Sequence, residues 1–152
     1  MEIKVLRYTR ERIPDVLRFE RELREEEDFW NWQIDQNYVQ DVEKSFSAEI
    51  SERAISMLAY DGSRVVGRID AGIVASHFDG SIKAYLDWIC VLKSCRHCGV
   101  AQRLMQALRE ELKANGITSM VGLIAANEEA QHFYRSLPNA LIRDQGIWID
   151  IV

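Results

Sequence analysis

The residues best suited to chemistry lie together in the stretch CRHCGVA, from Cys95 to Ala101. Two cysteines flank an Arg-His pair, and a glycine follows at once. Thiols at this spacing are typical of zinc knuckles and redox dithiols. A glycine beside a cation is also typical of a loop that binds phosphate through its backbone. The stretch therefore allows two kinds of site, and its surroundings must decide between them.

The thiol interpretation lacks ligands. A structural zinc site needs four, usually in two separated pairs. His97 stands between Cys95 and Cys98, where it cannot easily complete the same tetrahedron, and Cys90 falls inside a predicted strand. A disulfide within the loop would compete with an anion-binding conformation. We therefore expect no metal site. We regard the cysteines as incidental to a loop that binds an anion through its backbone.

The elements on either side of this stretch favour the phosphate interpretation. The run IKAYLDWICVL (82–92) predicts a strand, and apolar residues at helical spacing from Ala101 to Leu112 predict a helix that stops at Asn115-Gly116. The junction between them presents free backbone amides and the positive end of a helix dipole. Gly99 allows close approach of an anion, and Arg96 adds a cation. The spacing of Arg96, Gly99 and Ala101 thus predicts a pyrophosphate cradle.

The rest of the chain predicts one α/β domain over residues 1–152. EIKVLRY predicts a first strand, a helix begins at Ile13, and AISMLAY, VVGRIDAGIV and IKAYLDWICVL predict an antiparallel meander. After the helix that follows the cradle, SMVGLIAA predicts a buried parallel strand. Asn127 is suited to cap a second short helix. The segment NALIRDQGIWIDIV predicts a closing hairpin near Gly146. Together these elements predict a mixed sheet with helices on both faces.

Composition excludes several classes of function. The formal net charge is −5, so nucleic-acid phosphates are not expected as partners. No apolar run approaches the ~20 residues that span a membrane, and no membrane partner is expected. The N-terminus lacks the apolar core of a secretory signal. Three cysteines are an odd number and too few for a disulfide scaffold, so we expect a reducing cytoplasm.

The cradle within DWICVLKSCRHCGVAQRLMQAL resembles the signature loop of the GNAT superfamily of acetyl-CoA-dependent N-acetyltransferases. A second motif at the expected distance, ANEEAQHFYRSL, is similar to that family's later strand-to-helix segment, and the order of elements agrees over the whole chain. The resemblance implies a mostly antiparallel sheet with a central parallel strand pair splayed around the coenzyme A site. The chain departs from the family at Pro138-Asn139, where a Gly-Phe pair is usual, which puts the last hairpin and the acceptor pocket in doubt.

The resemblance also implies a set of contacts to acetyl-CoA. Pyrophosphate would bind the loop backbone, and pantetheine would pair with the strand edge from Ile89 to Leu92. The amide near Val91 would polarise the thioester carbonyl. Asn127 either hydrogen-bonds the pantetheine arm, serves as a plain helix cap, or does both. The predicted cofactor-binding residues are Ile89, Cys90, Val91, Arg96, His97, Cys98, Gly99, Val100, Ala101 and Asn127.

Two residues are candidates for proton transfer. Asp87 would share a strand face with Ile89 and Val91 by period two, and a carboxylate in an apolar strand is suited to act as the base, to bind substrate, or to lie solvated where the sheet splays. Tyr134 lies on a helix face with Phe133, which is ordinarily a core position. The resemblance implies that Tyr134 protonates the departing thiolate.

The acceptor is the least determined part of the reaction. The stretch FERELREEEDFW carries six carboxylates, which would either draw a cationic amine such as an aminoglycoside, polyamine or lysine, or form a solvated helix face, the interpretation that we favour. Trp30 and Trp32 would stack on a substrate or pack in the core. Acetylation of a small-molecule primary amine is the expected function; protein lysine or N-terminal acetylation, a coenzyme A sensor without turnover, and a thiol or metal module are the alternatives. The sequence leaves a homodimer open.

Overall fold

A computed structural model of the protein describes residues 1–28 and 33–151. Trp30 and Trp32 lie outside these ranges. The described chain divides after Val121 into two compact units, which are treated separately below. The organisation as one domain stays a prediction. Within the described residues, no helix combines the length and the apolar character needed to cross a membrane.

The first unit is built on a mixed sheet. Its strands are β1 (Ile3–Arg7), β2 (Ala54–Asp61), β3 (Arg64–Ala75), β4 (Ile82–Val91) and β5 (Met120–Gly122), in that spatial order. The pairs from β1 to β4 are antiparallel, and β4 and β5 are parallel. The predicted first strand, meander and α/β class are confirmed.

Helices cover both faces of the sheet, as predicted. The helices are α1 (Ile13–Glu26), α2 (Gln36–Lys44), α3 (Ala48–Ser51), α4 (Val100–Ala114) and, in the second unit, α5 (Glu128–Ser136). Gly67 of β3 lies against Val100 and Leu104 of α4, whereas Arg68, on the opposite face by strand alternation, contacts Glu20 of α1. The core therefore lies in two layers, one under each helix.

The spacing of apolar residues in helix α1 determines which of its faces is buried. Pro14 falls in the first turn, where its missing amide donor costs nothing. Val16, Phe19 and Leu23 recur at helical spacing and are fully buried against the sheet. At the end of α4, Asn115 is the C-cap and Gly116 adopts a left-handed conformation, so the predicted stop is confirmed.

The predicted buried strand SMVGLIAA and the closing hairpin are corrected. Strand β5 has only three residues, and Val121 is 52% exposed, because β5 is an edge strand of the sheet. Residues 139–151 contain no strand. Pro138 and the left-handed Asn139 turn the chain as it leaves α5, and an alternating pattern forms a strand only where a paired edge accepts its hydrogen bonds.

The absence of a side chain at Gly67 is expected to allow the close packing of α4 on the sheet. A Cβ at Gly67 would lie 3.0 Å from side-chain atoms of Leu104 and Val100 and 3.2 Å from the Cys90 carbonyl oxygen. Since Leu104 and Val100 are buried, Gly67→Ala should lower the free energy of unfolding by ~1–3 kcal/mol, measured by urea denaturation. Gly72→Ala in the same strand is the matched control, because the nearest atom there is 4.0 Å away. Equal stabilities of the two variants would contradict this account of the packing.

Candidate active site at the end of strand β4

The carboxyl end of β4 turns its backbone polar groups away from β3. The Leu92 amide donates to the Val66 carbonyl at 3.0 Å, which makes Val66–Leu92 a hydrogen-bonded pair. Gly67 and Val91, the next pair in the ladder, are therefore not hydrogen-bonded to each other. The Val91 amide and carbonyl point to the outer edge of β4. The carbonyl indeed accepts from Arg96 Nε at 3.2 Å on that side.

Strand β4 extends well beyond β5, its neighbour on this outer edge. Strand β4 has ten residues, whereas its neighbour β5 has three. The Ala84 amide donates to the Ser119 carbonyl at 3.0 Å, so the two strands meet at the beginning of β4. Within residues 1–121, the end of β4 around Ile89 and Val91 is left with outward amides that another extended backbone can use.

The loop after β4 has the backbone geometry of an anion-binding turn. A short 3-10 turn (Lys93–Cys95) leads to His97, which has φ 60°, and to Gly99, which has φ 78° and caps α4. Left-handed residues in such a turn direct amides to one concave side. The first intrahelical bond runs from the Arg103 amide to the Gly99 carbonyl, at 3.1 Å. The preceding amides of α4 therefore lack an intrahelical acceptor and carry the positive end of its dipole.

The three cysteines are free thiols with different environments. Cys90 and Cys95 are buried, and burial raises the pKa of Cys90 to about 12, so Cys90 is a neutral thiol at physiological pH. Cys98 is exposed beside His97. Within the described ranges, no cluster of three or more His, Cys, Asp or Glu side chains is arranged to hold a metal ion.

The sequence matches the model of the acetyltransferase (GNAT) family over residues 14–137. The chain belongs to the GNAT acetyltransferase family. It is therefore an acetyl-CoA-dependent N-acetyltransferase, and the loop and strand edge described above have the donors that a pyrophosphate and a pantetheine arm require. The sequence-based resemblance is confirmed.

Solved structures share this fold at low identity. An aminoglycoside acetyltransferase, meta-AAC0020 from an uncultured soil metagenomic sample, in complex with sisomicin, has a TM-score of 0.82 at 15% identity, covering 99% of this chain and 97% of that one. AAC(6′)-Iy in complex with the bisubstrate analogue CoA-S-monomethyl-acetylneamine has a TM-score of 0.77 at 17% identity, covering 99% and 98%.

A ribosomal-protein-alanine N-acetyltransferase from Brucella melitensis biovar Abortus 2308 has a TM-score of 0.75 at 13% identity, covering 100% of both chains. No curated protein sequence matches the chain. At such identities these structures show a common fold.

Asp87 occupies an irregular position in the acetyltransferase sheet. Asp70 pairs with Trp88 but Ala71 pairs with Leu86, which leaves Asp87 as the extra residue of a β-bulge. The assumed period-two face of Asp87, Ile89 and Val91 is therefore wrong. The bulge instead re-aims Asp87, whose side chain is exposed, at a place where sheets often carry functional groups.

Asn127 and Tyr134 belong to the second unit. The Asn127 side chain accepts a hydrogen bond from the Ala130 amide at 2.8 Å, so its predicted capping of α5 is confirmed. Tyr134 lies within α5, and its ring meets that of Phe133 edge to face at 5.1 Å. Burial raises the pKa of Tyr134, so its phenol keeps its proton at neutral pH. Their roles toward acetyl-CoA stay predictions.

The acidic stretch is organised differently from either sequence interpretation. Glu25 and Asp28 are exposed, as a solvated face requires. Four other carboxylates have partners inside the protein: Glu20 with Tyr38 and Arg68, Glu22 with Arg64, Glu26 with Ser94, and Glu27 with Arg96. The last two contacts reach the loop after β4, and the sequence analysis does not predict them. The only signal for them in the sequence is acidic residues at a helix C-terminus, where the dipole disfavours them.

Glu20 is part of a buried charged group on the α1 face of the sheet. The Arg68 guanidinium contacts Asp70 (2.7 Å from Nε) and Glu20 (3.4 Å), and lies 4.8 Å from the centre of the Tyr8 ring. Burial raises the pKa of Glu20 against the opposing effects of the Tyr38 hydroxyl and Arg68. Burial likewise raises the pKa of Tyr8 to about 12. The contact between Glu20 and Arg68 thus connects α1 to β3 in the interior of the protein.

A shallow depression of about 240 Å³ lies elsewhere, between α1 and the β2–β3 turn. Its charged side chains already pair with one another or with neighbours, as Glu22 does with Arg64 at 2.6 Å and Asp15 with the Tyr60 hydroxyl at 2.9 Å. It is separate from the cradle and supplies none of its donors. Its lining residues are Asp15, Arg18, Phe19, Glu22, Ser63, Arg64 and Val65.

Gly99 offers a direct test of the cradle. A Cβ at Gly99 would meet no atom within 4 Å, so Gly99→Ala acts only through its positive φ, at a cost of ~1–2 kcal/mol. Relaxation of that strain should move the loop amides and raise KM for acetyl-CoA by ~10–100-fold, the loss expected for hydrogen bonds to a charged group. The matched control is Gly62→Ala, since Gly62 has φ 61° and equally open surroundings in the β2–β3 turn. Both variants should lose similar stability, and an equal KM for the two would contradict the assignment.

The pH dependence of stability should report Glu20. Because the folded pKa of Glu20 lies above its unfolded value of ~4.3, its contribution is fully present below about pH 4 and is lost as pH rises through the folded pKa. Glu20→Gln cannot ionise and should gain stability relative to the native chain as the pH rises above about 4. Urea unfolding at several pH values measures this difference. The difference at about pH 3, where both side chains are neutral, reports packing alone; a difference constant with pH would contradict the prediction.

Proposed function

We propose that this GNAT acetyltransferase transfers an acetyl group from acetyl-CoA to a primary amine of a small molecule, with a cationic, aminoglycoside- or polyamine-like compound as the first candidate. The observation that carries the proposal is the outward Val91 amide at the end of β4, followed by the left-handed Gly99 at the start of α4. These two features supply a donor for a thioester carbonyl and a cradle for a pyrophosphate.

The reaction needs no covalent enzyme intermediate. Direct attack by the amine nitrogen on the thioester carbon forms the C–N bond, and collapse breaks the C–S bond. The Val91 amide stabilises the negative charge that develops on the carbonyl oxygen. A neutral Cys90, buried under the same edge, is unsuited to act as a nucleophile.

Two proton transfers complete the reaction. An alkylammonium of pKa ~10.4 costs roughly 4–5 kcal/mol to deprotonate at pH 7, and Asp87, exposed at the bulge, is our candidate base. Tyr134 is our candidate acid for the coenzyme A thiolate, because its phenol carries a proton at neutral pH that it can share with the sulfur. Asn127 has its Oδ1 in the α5 cap, and its Nδ2 is the donor we propose for the pantetheine arm.

The choice of acceptor rests on analogy and charge. Solved structures of this fold include aminoglycoside acetyltransferases, and the chain is acidic, with net charge −5. A protein N-terminal amine is the second candidate, suggested by the fold of the Brucella enzyme. We place the reaction in the cytoplasm, since three free thiols suit a reducing compartment.

An amine panel tests the proposal. Purified protein is incubated with acetyl-CoA and aminoglycosides, polyamines, lysine or an alanine-ended peptide, and acetylation is read by mass gain on the acceptor and by thiol release. We expect turnover with a small cationic amine. Turnover with the peptide alone would favour the protein-modifying alternative. Coenzyme A binding without turnover on any amine would favour a sensor.

Tyr134→Phe with the best acceptor tests the acid role. The variant should keep its fold and its acetyl-CoA affinity but lower kcat by about 10², because general acid help is typically worth ~10²–10⁴. Tyr60→Phe is the matched control: it removes a hydroxyl on β2 that donates to Asp15 of α1, and it should leave kcat unchanged. An unchanged kcat in Tyr134→Phe would make Tyr134 a packing residue.

A further inference from the structure

The carboxyl end of α1 carries acidic residues, whereas helices generally prefer basic residues there. Four acidic residues run from Glu25 to Asp28, where the helix dipole is negative and disfavours them. They also lie on the side of the chain that approaches the coenzyme A loop, a polyanion site. Breaches of local rules of this kind concentrate at functional positions. Two of the four carboxylates have a specific partner in the loop.

The contact between Glu27 and Arg96 is bidentate. Arg96 Nη1 and Nη2 lie 3.0 and 2.7 Å from the two Glu27 carboxylate oxygens. Arg96 Nε donates to the Val91 carbonyl at 3.2 Å. The guanidinium thus bridges the end of α1 and the end of β4. The two side chains are only 11% and 22% exposed, so solvent screens the pair weakly.

Glu26 fixes the loop at a second point. Its carboxylate accepts from the Ser94 amide at 3.1 Å and from the Ser94 hydroxyl at 2.5 Å. Partial burial acts in the opposite direction, but these hydrogen bonds lower the pKa of Glu26 and keep it ionised. Both ends of the segment from Ser94 to Arg96 are therefore held, one by the last residue of α1 and the other by its C-cap residue, Glu27.

We propose that Glu27 is a positioning residue for acetyl-CoA, which holds Arg96 as a strut so that the loop amides keep their anion-binding arrangement. The proposal rests on the assignment of this loop to coenzyme A. A guanidinium paired with a carboxylate brings little net positive charge to a pyrophosphate. Arg96 then acts through the geometry of the loop, and the attraction for phosphate comes from the backbone amides and the α4 dipole.

Coenzyme A affinity without any acceptor tests this role. Isothermal titration with coenzyme A should give a dissociation constant about tenfold higher for Glu27→Gln than for the native chain, since a displaced loop misplaces the amides. Arg96→Lys keeps the charge but loses the bidentate geometry, so it should weaken binding similarly. At saturating acetyl-CoA, kcat should change less than about twofold, which places the effect in KM.

The matched control is Glu22→Gln, which removes a carboxylate of the same helix paired with Arg64 of β3 and should leave coenzyme A affinity unchanged. Thermal unfolding of both variants separates positioning from general destabilisation. The exchanged pair Glu27→Arg with Arg96→Glu should recover affinity relative to Arg96→Glu alone, because the strut is restored with its charges reversed.

Three results would overturn the proposal. Equal or tighter binding by Glu27→Gln would mean that Arg96, once released, serves as a phosphate cation. Full affinity in Arg96→Lys would point to charge rather than geometry. Equal losses of affinity in Glu22→Gln and Glu27→Gln would indicate destabilisation of α1. If the native chain itself fails to bind coenzyme A, it is the assignment of the loop that fails.

Discussion

The Gly67–Val91 pair sets the geometry of the candidate active site. Because the two residues face each other without hydrogen bonds, the Val91 amide and carbonyl are directed to the outer edge of β4. Because Gly67 has no side chain, α4 can approach the sheet at Val100 and Leu104. The same pair thus orients the amide that we propose as the donor for the thioester, and it brings the amino end of α4 close to that amide. A shift of the register by one residue would reverse both arrangements.

Local signals explain what the sequence predicted well. Alternation in AISMLAY and VVGRIDAGIV, the stop at Asn115-Gly116 and the cap at Asn127 each depend on neighbours within a few residues. The backbone of the loop after β4 was predictable for the same reason, since its strand, glycine and helix are consecutive. The bulge at Asp87 was not, because it exists only in the pairing of β3 with β4. A period-two pattern cannot reveal an inserted residue.

The contacts of the acidic stretch, in contrast, could not be predicted from local sequence signals. Glu22, Glu26 and Glu27 look alike in the sequence, and their partners are 42 to 69 residues away in the chain. No local rule indicates which carboxylate will meet Arg64, Ser94 or Arg96. The C-terminal segment fails for a related reason: its alternation is genuine, but Trp148 is 85% exposed, and a strand needs an edge to pair with. Long-range pairing decides both cases.

An acidic chain that binds pyrophosphate must solve an electrostatic problem. With net charge −5, and with Glu26 and Glu27 beside the loop, long-range attraction of a polyanion is weak. Oriented amides and a helix dipole act only at short range and add no net charge, so they can hold phosphate in an acidic protein. The same charge would favour a cationic acceptor. The backbone cradle that we propose would therefore let one surface accept an anionic co-substrate and a cationic acceptor, because each would be recognised by a different physical interaction.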